Sequence, residues 1–175
     1  MATEEIKKKI MFSKGDDYYF LTYNLLLILQ SLNCFNNQYF RDYRKLSFMT
    51  NLISNPYLPE VLEVYKKSNK SLNVYDKELL TKSYFDGLLI TKEIFRLLEI
   101  LRDRELITLS ETNSILYISI KERKKVKNFL NNDIFQIEKH NIILLQSSIG
   151  RISFLSYDTF LERVYKNIGI NLWHA

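Results

Sequence analysis

The sequence predicts a mainly α-helical fold with a small β-hairpin, arranged as a winged helix-turn-helix followed by a helical C-terminal extension. The first observation lies in residues 84–120, where a helical apolar pattern leads directly into two short runs rich in β-branched residues. The second is the scarcity of chain breakers, four glycines and two prolines in 175 residues, which favours helices over tight turns. A helix that leads straight into a two-stranded hairpin is the shape of a winged helix-turn-helix.

The periodicity divides the chain into three parts. Residues 1–15 are a charged lead-in with little apolar material, and we expect a flexible arm. Residues 16–120 form the expected winged-helix domain. Residues 121–175 form the helical extension. With 46% hydrophobic residues, the chain is long enough for one core plus such an extension.

The first strong helix is predicted at residues 17–33, capped by Asp16 or Asp17. It is apolar on nearly all sides, so it either lies at the centre of the core or offers a second face to a partner. Aromatic residues of this helix and of the last helix are candidate partner contacts. They are Tyr18, Tyr19, Tyr23, Tyr157 and Phe160.

The remaining elements follow from periodicity and capping. Helices are expected at residues 42–55, 59–70, 77–85, 92–104, 134–149 and 154–168, and strands at residues 106–109 and 115–120 around a turn at residues 110–114. Residues 34–40 and 69–75 read as connections. Asp76, Thr91 and Asp133 are predicted to start helices, and Gly150 and Gly169 to end them.

A basic run follows the second predicted strand. It consists of Lys121, Arg123, Lys124, Lys125 and Lys127, in a chain of net charge +5. Clustered cations of this kind bind phosphates or an acidic partner. The alternative is a solvated helix start, but cations near a helix N-terminus oppose the macrodipole and cost stability unless an anion lies nearby.

The predicted helix at residues 92–104 is a poor candidate for reading base edges. Base-reading helices display Arg, Lys, Asn or Gln. Here Glu93, Glu99, Asp103 and Glu105 would face the phosphates unfavourably.

No residues in the sequence form a pattern that indicates catalysis. Four scattered glycines cannot form a phosphate-binding loop, and one cysteine, Cys34, excludes an internal disulfide and a cysteine-rich metal site. Cys34 is expected to be a buried thiol. His140 reads as a surface histidine, and His174 lies in the C-terminal tail without a second ligand at metal spacing. We therefore expect a non-enzymatic protein without catalytic, metal-binding or cofactor-binding residues and without a small-molecule substrate.

The longest apolar run, at residues 25–29, is far below the ~20 residues that a membrane-spanning helix needs. The N-terminal segment has no secretory hydrophobic region. We expect a cytoplasmic protein that does not contact the membrane.

Three local patterns carry a family resemblance: YFLTYNLLLILQSLN, YRKLSFMTNLISNP and GLLITKEIFRLLEILRDRELITLSETNSILYIS. Over residues 18–120 the chain resembles the middle component of the bacterial ABC three-component systems, the group that includes Lamassu-type anti-phage defence. The resemblance implies a kleisin-like adaptor that binds an SMC-like ABC ATPase and couples it to an effector subunit, often a nuclease.

The alternative function is a winged-helix transcriptional regulator that binds DNA. It predicts duplex affinity that falls steeply with salt as phosphate contacts are lost. The two functions overlap, because an adaptor can also make non-specific contacts with DNA held by its ATPase.

Overall fold

A computed structural model describes residues 18–68, 71–131 and 135–172. The described residues form mainly helices with one small antiparallel sheet, which confirms the predicted mainly α class. The predicted arm of residues 1–15, the start residues Asp16, Asp17 and Asp133, and His174 lie outside the described residues.

The elements follow in chain order. The helices are α1 (Tyr18–Ser31), α2 (Arg44–Ser54), α3 (Leu58–Ser68), α4 (Val74–Leu89), α5 (Thr91–Asp103), α6 (Arg123–Phe129), α7 (Gln136–Ile149) and α8 (Tyr157–Val164), with a short 3-10 helix at Lys166–Ile168. The strands are β1 (Phe40–Arg41), β2 (Ile107–Thr112) and β3 (Ile115–Ile120).

The sheet is built around the predicted hairpin. Strand β3 pairs with β2 on one side and with β1 on the other, so the order is β1-β3-β2. The turn consists of Asn113 and Ser114, both with positive φ (51° and 59°), as in a two-residue type I′ turn. The strands therefore extend further into the predicted turn than the sequence indicated. Strand β1 falls in and just after a predicted connection.

Helix α1 lies at the centre of the core. Its apolar side chains are buried on almost every side over residues 21–29. The interpretation of α1 as a helix with a second, partner-binding face is therefore wrong, because α2, α7 and the sheet already cover it.

Helix α2 is the element that most of the others pack against. It contacts α1, α3, α4, α5, α7 and α8. The fully buried ring of Phe48 lies among aromatic rings of α4, of α8 and of the segment after α8, with centroid distances of 5.4 to 6.4 Å within this group. Helices after residue 120 thus share one hydrophobic core with those before it.

Two predicted helix starts are corrected. Helix α4 begins at Val74 with Asn73 as its N-cap, whose side chain accepts from the Asp76 amide at 2.8 Å. The Asp76 carboxylate instead accepts from the Tyr57 and Tyr65 hydroxyls at 2.8 and 2.9 Å, which ties α4 to the segment around α3.

Thr91 is likewise not an N-cap. It is the first residue of α5, and its hydroxyl donates to the Gly87 carbonyl at 3.0 Å. The predicted helix end at Gly150 is confirmed. The last predicted helix is shorter than expected, because α8 ends at Val164 and Gly169 ends the 3-10 helix that follows it.

A lysine lies in this core. Lys45 of α2 has no exposed surface, and its ammonium donates to the main-chain carbonyls of Ile152 at 2.7 Å and Leu155 at 2.6 Å. Nζ also lies 4.6 Å from the centre of the Phe40 ring. Burial lowers the pKa of Lys45 to about 7, and the negative charge of Asp42 partly opposes this shift. The Asp42 carboxylate itself lies 2.6 Å from the guanidinium of Arg44.

The lowered pKa makes stability depend on pH. Above pH 7 the folded Lys45 releases its proton, while the unfolded side chain keeps it up to its ordinary pKa of 10.5. The unfolded state binds more protons in this window, so this group makes stability rise with pH, by up to about 1.4 kcal/mol per pH unit. We expect the difference in free energy of unfolding between wild type and Lys45→Met to grow from about pH 7 to about pH 9.5 in urea titrations. A difference independent of pH would contradict the assignment.

Gly87 provides a second test of the core. A Cβ at this position would lie 2.6 Å from Cδ1 of Phe48, whose buried ring cannot move aside. Gly87→Ala should destabilise the protein by about 1–3 kcal/mol, although the same change inside an ordinary helix stabilises by about 1 kcal/mol. Thermal unfolding measures the effect. In a Phe48→Leu background the cost should shrink; an equal cost in both backgrounds would exclude the clash as its cause.

Candidate functional site

Positive charge and exposed aromatic rings meet on one surface of the molecule. Residues 121–127 contain five basic side chains, all exposed, and one acidic one, Glu122. Tyr18 and Tyr19 at the start of α1 are 54% and 63% exposed, and the Tyr19 ring lies 5.9 Å from that of Phe129 at the end of α6. We name the α1–α6 surface after its members, which are Tyr18, Tyr19, Lys121, Arg123, Lys124, Lys125, Lys127 and Phe129.

The hairpin positions the start of this surface. At the end of β3, the Ile120 amide donates to the Cys34 carbonyl at 2.7 Å, and the Lys121 amide donates to the Leu106 carbonyl at 2.9 Å. Cys34 itself is a buried thiol as predicted, and burial raises its pKa to about 12. The guanidinium of Arg123 lies 3.8 Å from the centre of the Phe35 ring, which orients it at the start of α6.

The inner side of helix α6 packs against α1. Val126 and Leu130 are buried, and the Tyr23 hydroxyl donates to the Leu130 carbonyl at 3.1 Å. The Tyr23 ring stacks on Phe135 at 3.7 Å and lies 5.5 Å from Phe129. Burial, and then the charge of Glu138, raise the pKa of Tyr23, so its hydroxyl stays protonated and donates.

This arrangement corrects two of the five predicted partner contacts. Tyr23 is only 3% exposed and Phe160 is 0% exposed, so both side chains belong to the core. Phe160 lies with Leu161 and Val164 on the apolar side of α8. Tyr23 is covered by Phe129 and Phe135, which are tertiary contacts that helical spacing cannot reveal. Tyr157 is half-buried beneath the guanidinium of Arg44 at 4.1 Å, and burial raises its pKa to about 12. Tyr18 and Tyr19 remain exposed.

The basic residues are only weakly neutralised. The distance from Nζ of Lys121 to the carboxylate of Glu105 is 3.3 Å, and that from Nζ of Lys125 to the carboxylate of Glu122 is 4.0 Å. Exposed pairs of this kind contribute about 0–1 kcal/mol. Lys124 and Lys127 have no ion pair with any residue that the structure describes. The surface therefore keeps a positive potential that an anion would stabilise.

Helix α5, which precedes the hairpin, carries a balanced charge. Glu93 and Glu99 are half-buried, and the exposed Asp103 carboxylate binds Arg102 at 2.9 Å. Phe95 and Ile100 are also exposed to solvent on this helix. Acidic and apolar groups are thus mixed with the cations, as the sequence indicated for the charges.

A second exposed surface was missed at the sequence level. Val74, Phe85 and Leu89 lie along one stripe of α4 and are 76%, 42% and 76% exposed. We call this stripe, with Glu78, Thr81 and Lys82 between its ends, the α4 face. The helix predicted at residues 77–85 is too short to include Val74 and Leu89, which the structure places in α4.

Comparisons with protein-family models, curated proteins and solved structures found no match. Within residues 18–68, 71–131 and 135–172, no group of three or more His, Cys, Asp or Glu side chains is placed to hold a metal ion. His140 is exposed, as predicted. In the same ranges no helix has the length and apolarity to cross a bilayer.

The contact between Tyr23 and Leu130 can be tested directly. Tyr23→Phe removes the hydroxyl and leaves a buried carbonyl without its donor, so the free energy of unfolding should fall by about 1–3 kcal/mol. Tyr18→Phe, in an exposed ring, is the matched control and should change stability by less than about 0.5 kcal/mol. Urea unfolding measures both. Equal effects of the two substitutions would show that Tyr23 does not fasten α6.

Proposed function

We propose that this protein is a non-enzymatic winged-helix adaptor of the kleisin-like kind, which binds an SMC-like ABC ATPase and couples it to an effector nuclease in anti-phage defence. The family resemblance of residues 18–120 supplies the identity of the partners. The fold and the exposed surfaces support the role of an adaptor.

The order of elements supports the winged-helix part of the proposal. Helix α1, strand β1 and helix α2 come first, and α5 then leads directly into the β2–β3 hairpin. Helix α2 packs against α5, and β1 joins the hairpin as the third strand. Helices α3 and α4 are an insertion between α2 and α5 in this scheme.

The observation that carries the adaptor role is the α4 face. Its three apolar side chains lie within one stripe on the solvent side of a regular helix, while the opposite side of α4 packs on α2. Burying such side chains in an interface contributes about 1.5–3 kcal/mol each. An exposed apolar stripe with charged residues between its members is typical of a helix that binds a protein groove.

The composition of helix α5 also supports an adaptor that binds a protein. A helix that reads base edges needs polar donors on its solvent side and few carboxylates. The solvent side of α5 offers the apolar side chains of Phe95 and Ile100 among its cations, and its carboxylates are the exposed Asp103 and the half-buried Glu93 and Glu99. This composition favours a protein partner over operator recognition.

Co-purification tests the adaptor. We expect the tagged chain, expressed together with the genes that neighbour its own, to carry an ATPase and an effector subunit through affinity and size-exclusion chromatography. Replacing both Phe85 and Leu89 by Glu should abolish this, since two charges would have to be buried at the interface. Ile143→Glu places a charge on an exposed apolar position of α7 and should leave the complex intact. A wild-type chain that emerges alone and monodisperse would count against the adaptor.

The basic run of the α1–α6 surface favours the transcriptional regulator as a second candidate. A regulator must prefer one duplex sequence over others by roughly 10³-fold or more. Binding of a genomic duplex library by the isolated chain therefore separates the two functions: an enriched operator sequence supports the regulator.

A further inference from the structure

We propose that the α1–α6 surface binds single-stranded nucleic acid, with phosphates along the cations of α6 and unpaired bases stacked on the exposed rings of Tyr18, Tyr19 and Phe129. This inference goes beyond the adaptor function. It concerns the isolated chain, so its failure is distinguishable from a failure to bind the ATPase.

The charge on this surface is concentrated. In a chain of net charge +5, residues 121–127 contain five basic side chains and a single carboxylate. Three of these cations, Arg123, Lys124 and Lys125, lie in the first turn of α6, where they oppose the helix macrodipole. A bound polyanion would relieve both the mutual repulsion of the cations and the unfavourable dipole interaction.

The aromatic rings distinguish nucleic acid from an acidic peptide. A carboxylate-rich peptide would use the lysines, but it gains little from exposed rings. Bases stack on such rings in a sequence-tolerant way, and basic grooves combined with aromatic platforms are the usual design of single-strand binders. Tyr18 and Tyr19 are more than half exposed, and Tyr19 is in contact with Phe129.

Two of the three rings, those of Tyr19 and Phe129, are also held in place before binding. Phe129 contacts the buried Tyr23, whose ring stacks on Phe135 and whose hydroxyl donates to Leu130. A platform fixed in this way loses little conformational entropy when a base stacks on it. The guanidinium of Arg123 lies over the Phe35 ring, which restricts the side chain while it remains exposed to a phosphate.

A duplex fits this surface less well than a single strand. In a duplex the faces of the bases are already stacked on each other, so exposed rings can reach them only by unstacking the helix. The surface also offers a short helix end and not a long polar helix for the major groove. We therefore expect unpaired bases to be the preferred ligand.

The dimensions set the expected strength. Helix α6 has seven residues and is about 10 Å long, which is enough for about two or three phosphate contacts. Two or three phosphate contacts give a slope of log affinity against log salt of about −2 for a single strand. The site is therefore a modest one, suited to a strand that a larger complex holds nearby.

Fluorescence anisotropy of the full chain tests the inference. The probes are a labelled oligothymidine of about twelve nucleotides, a duplex of the same length and a labelled polyglutamate peptide. We expect the oligothymidine to bind most tightly, with a salt slope of about −2. Tighter binding of the duplex or of polyglutamate would overturn the proposal.

Paired variants separate the two contributions. Replacing Lys124 and Lys127 by Ala should lower the magnitude of the salt slope by about 1.4. Replacing Tyr18 by Ala should weaken binding by about tenfold without changing the slope. Exposed residues elsewhere provide matched controls that should leave binding unchanged: Lys66 and Lys67 of α3, replaced together by Ala, and Tyr75 of α4, replaced by Ala.

Thermal unfolding of each variant confirms that it is folded. If the lysine variant loses affinity while Tyr18→Ala binds the oligothymidine as tightly as wild type, the stacking platform is wrong. If the α3 lysine control reduces binding as much as the α6 lysine variant does, the surface is not the site.

Discussion

The amino group of Lys45 joins α2 to the C-terminal segment inside the core. It donates to main-chain carbonyls of the segment that joins α7 to α8, and the amide of Arg41 donates to the Ser153 carbonyl beside it at 2.8 Å. Lys45 belongs to α2, and Arg41 belongs to the edge strand of the sheet. Lys45 therefore connects the C-terminal segment with α2, and the Arg41 amide connects it with the edge strand that pairs with the hairpin. A buried ammonium without such acceptors would be strongly unfavourable, so the carbonyls and the lysine depend on each other.

The position of each exposed surface depends on buried contacts beneath it. Strand β3 and the Cys34 carbonyl determine where α6 begins, and Tyr23 of the buried α1 determines where it ends. The cations in the first turn of α6 destabilise this helix because they oppose its dipole. Burial of Val126 and Leu130 compensates for this cost. The α4 face is displayed in a similar way, because Phe48 and Gly87 lock the inner side of α4 against α2. Both candidate surfaces are thus rigid outer sides of elements whose inner sides are in the core.

Most helices could be predicted from the sequence because their apolar residues recur every three or four positions over several turns. Strand β1 could not, since a two-residue strand has no period and exists only because β3 offers a free edge. The Asp76 cap was misassigned for a physical reason: its carboxylate has stronger partners in the hydroxyls of Tyr57 and Tyr65. The basic run was evident because its members are neighbours in the chain. Its meeting with Tyr19 was not, because that contact is tertiary.

The segment after α7 belongs to the same cooperative unit as the hairpin and the helices that precede it. A chain that ends at Gly150 tests it most directly, since it keeps α1 to α7 and removes the carbonyls that bind Lys45. Hydrogen exchange of the β2–β3 hairpin and of α2 is the measurement. We predict that the truncated chain loses slow exchange in both elements together. Native protection of both elements in the truncated chain would contradict it.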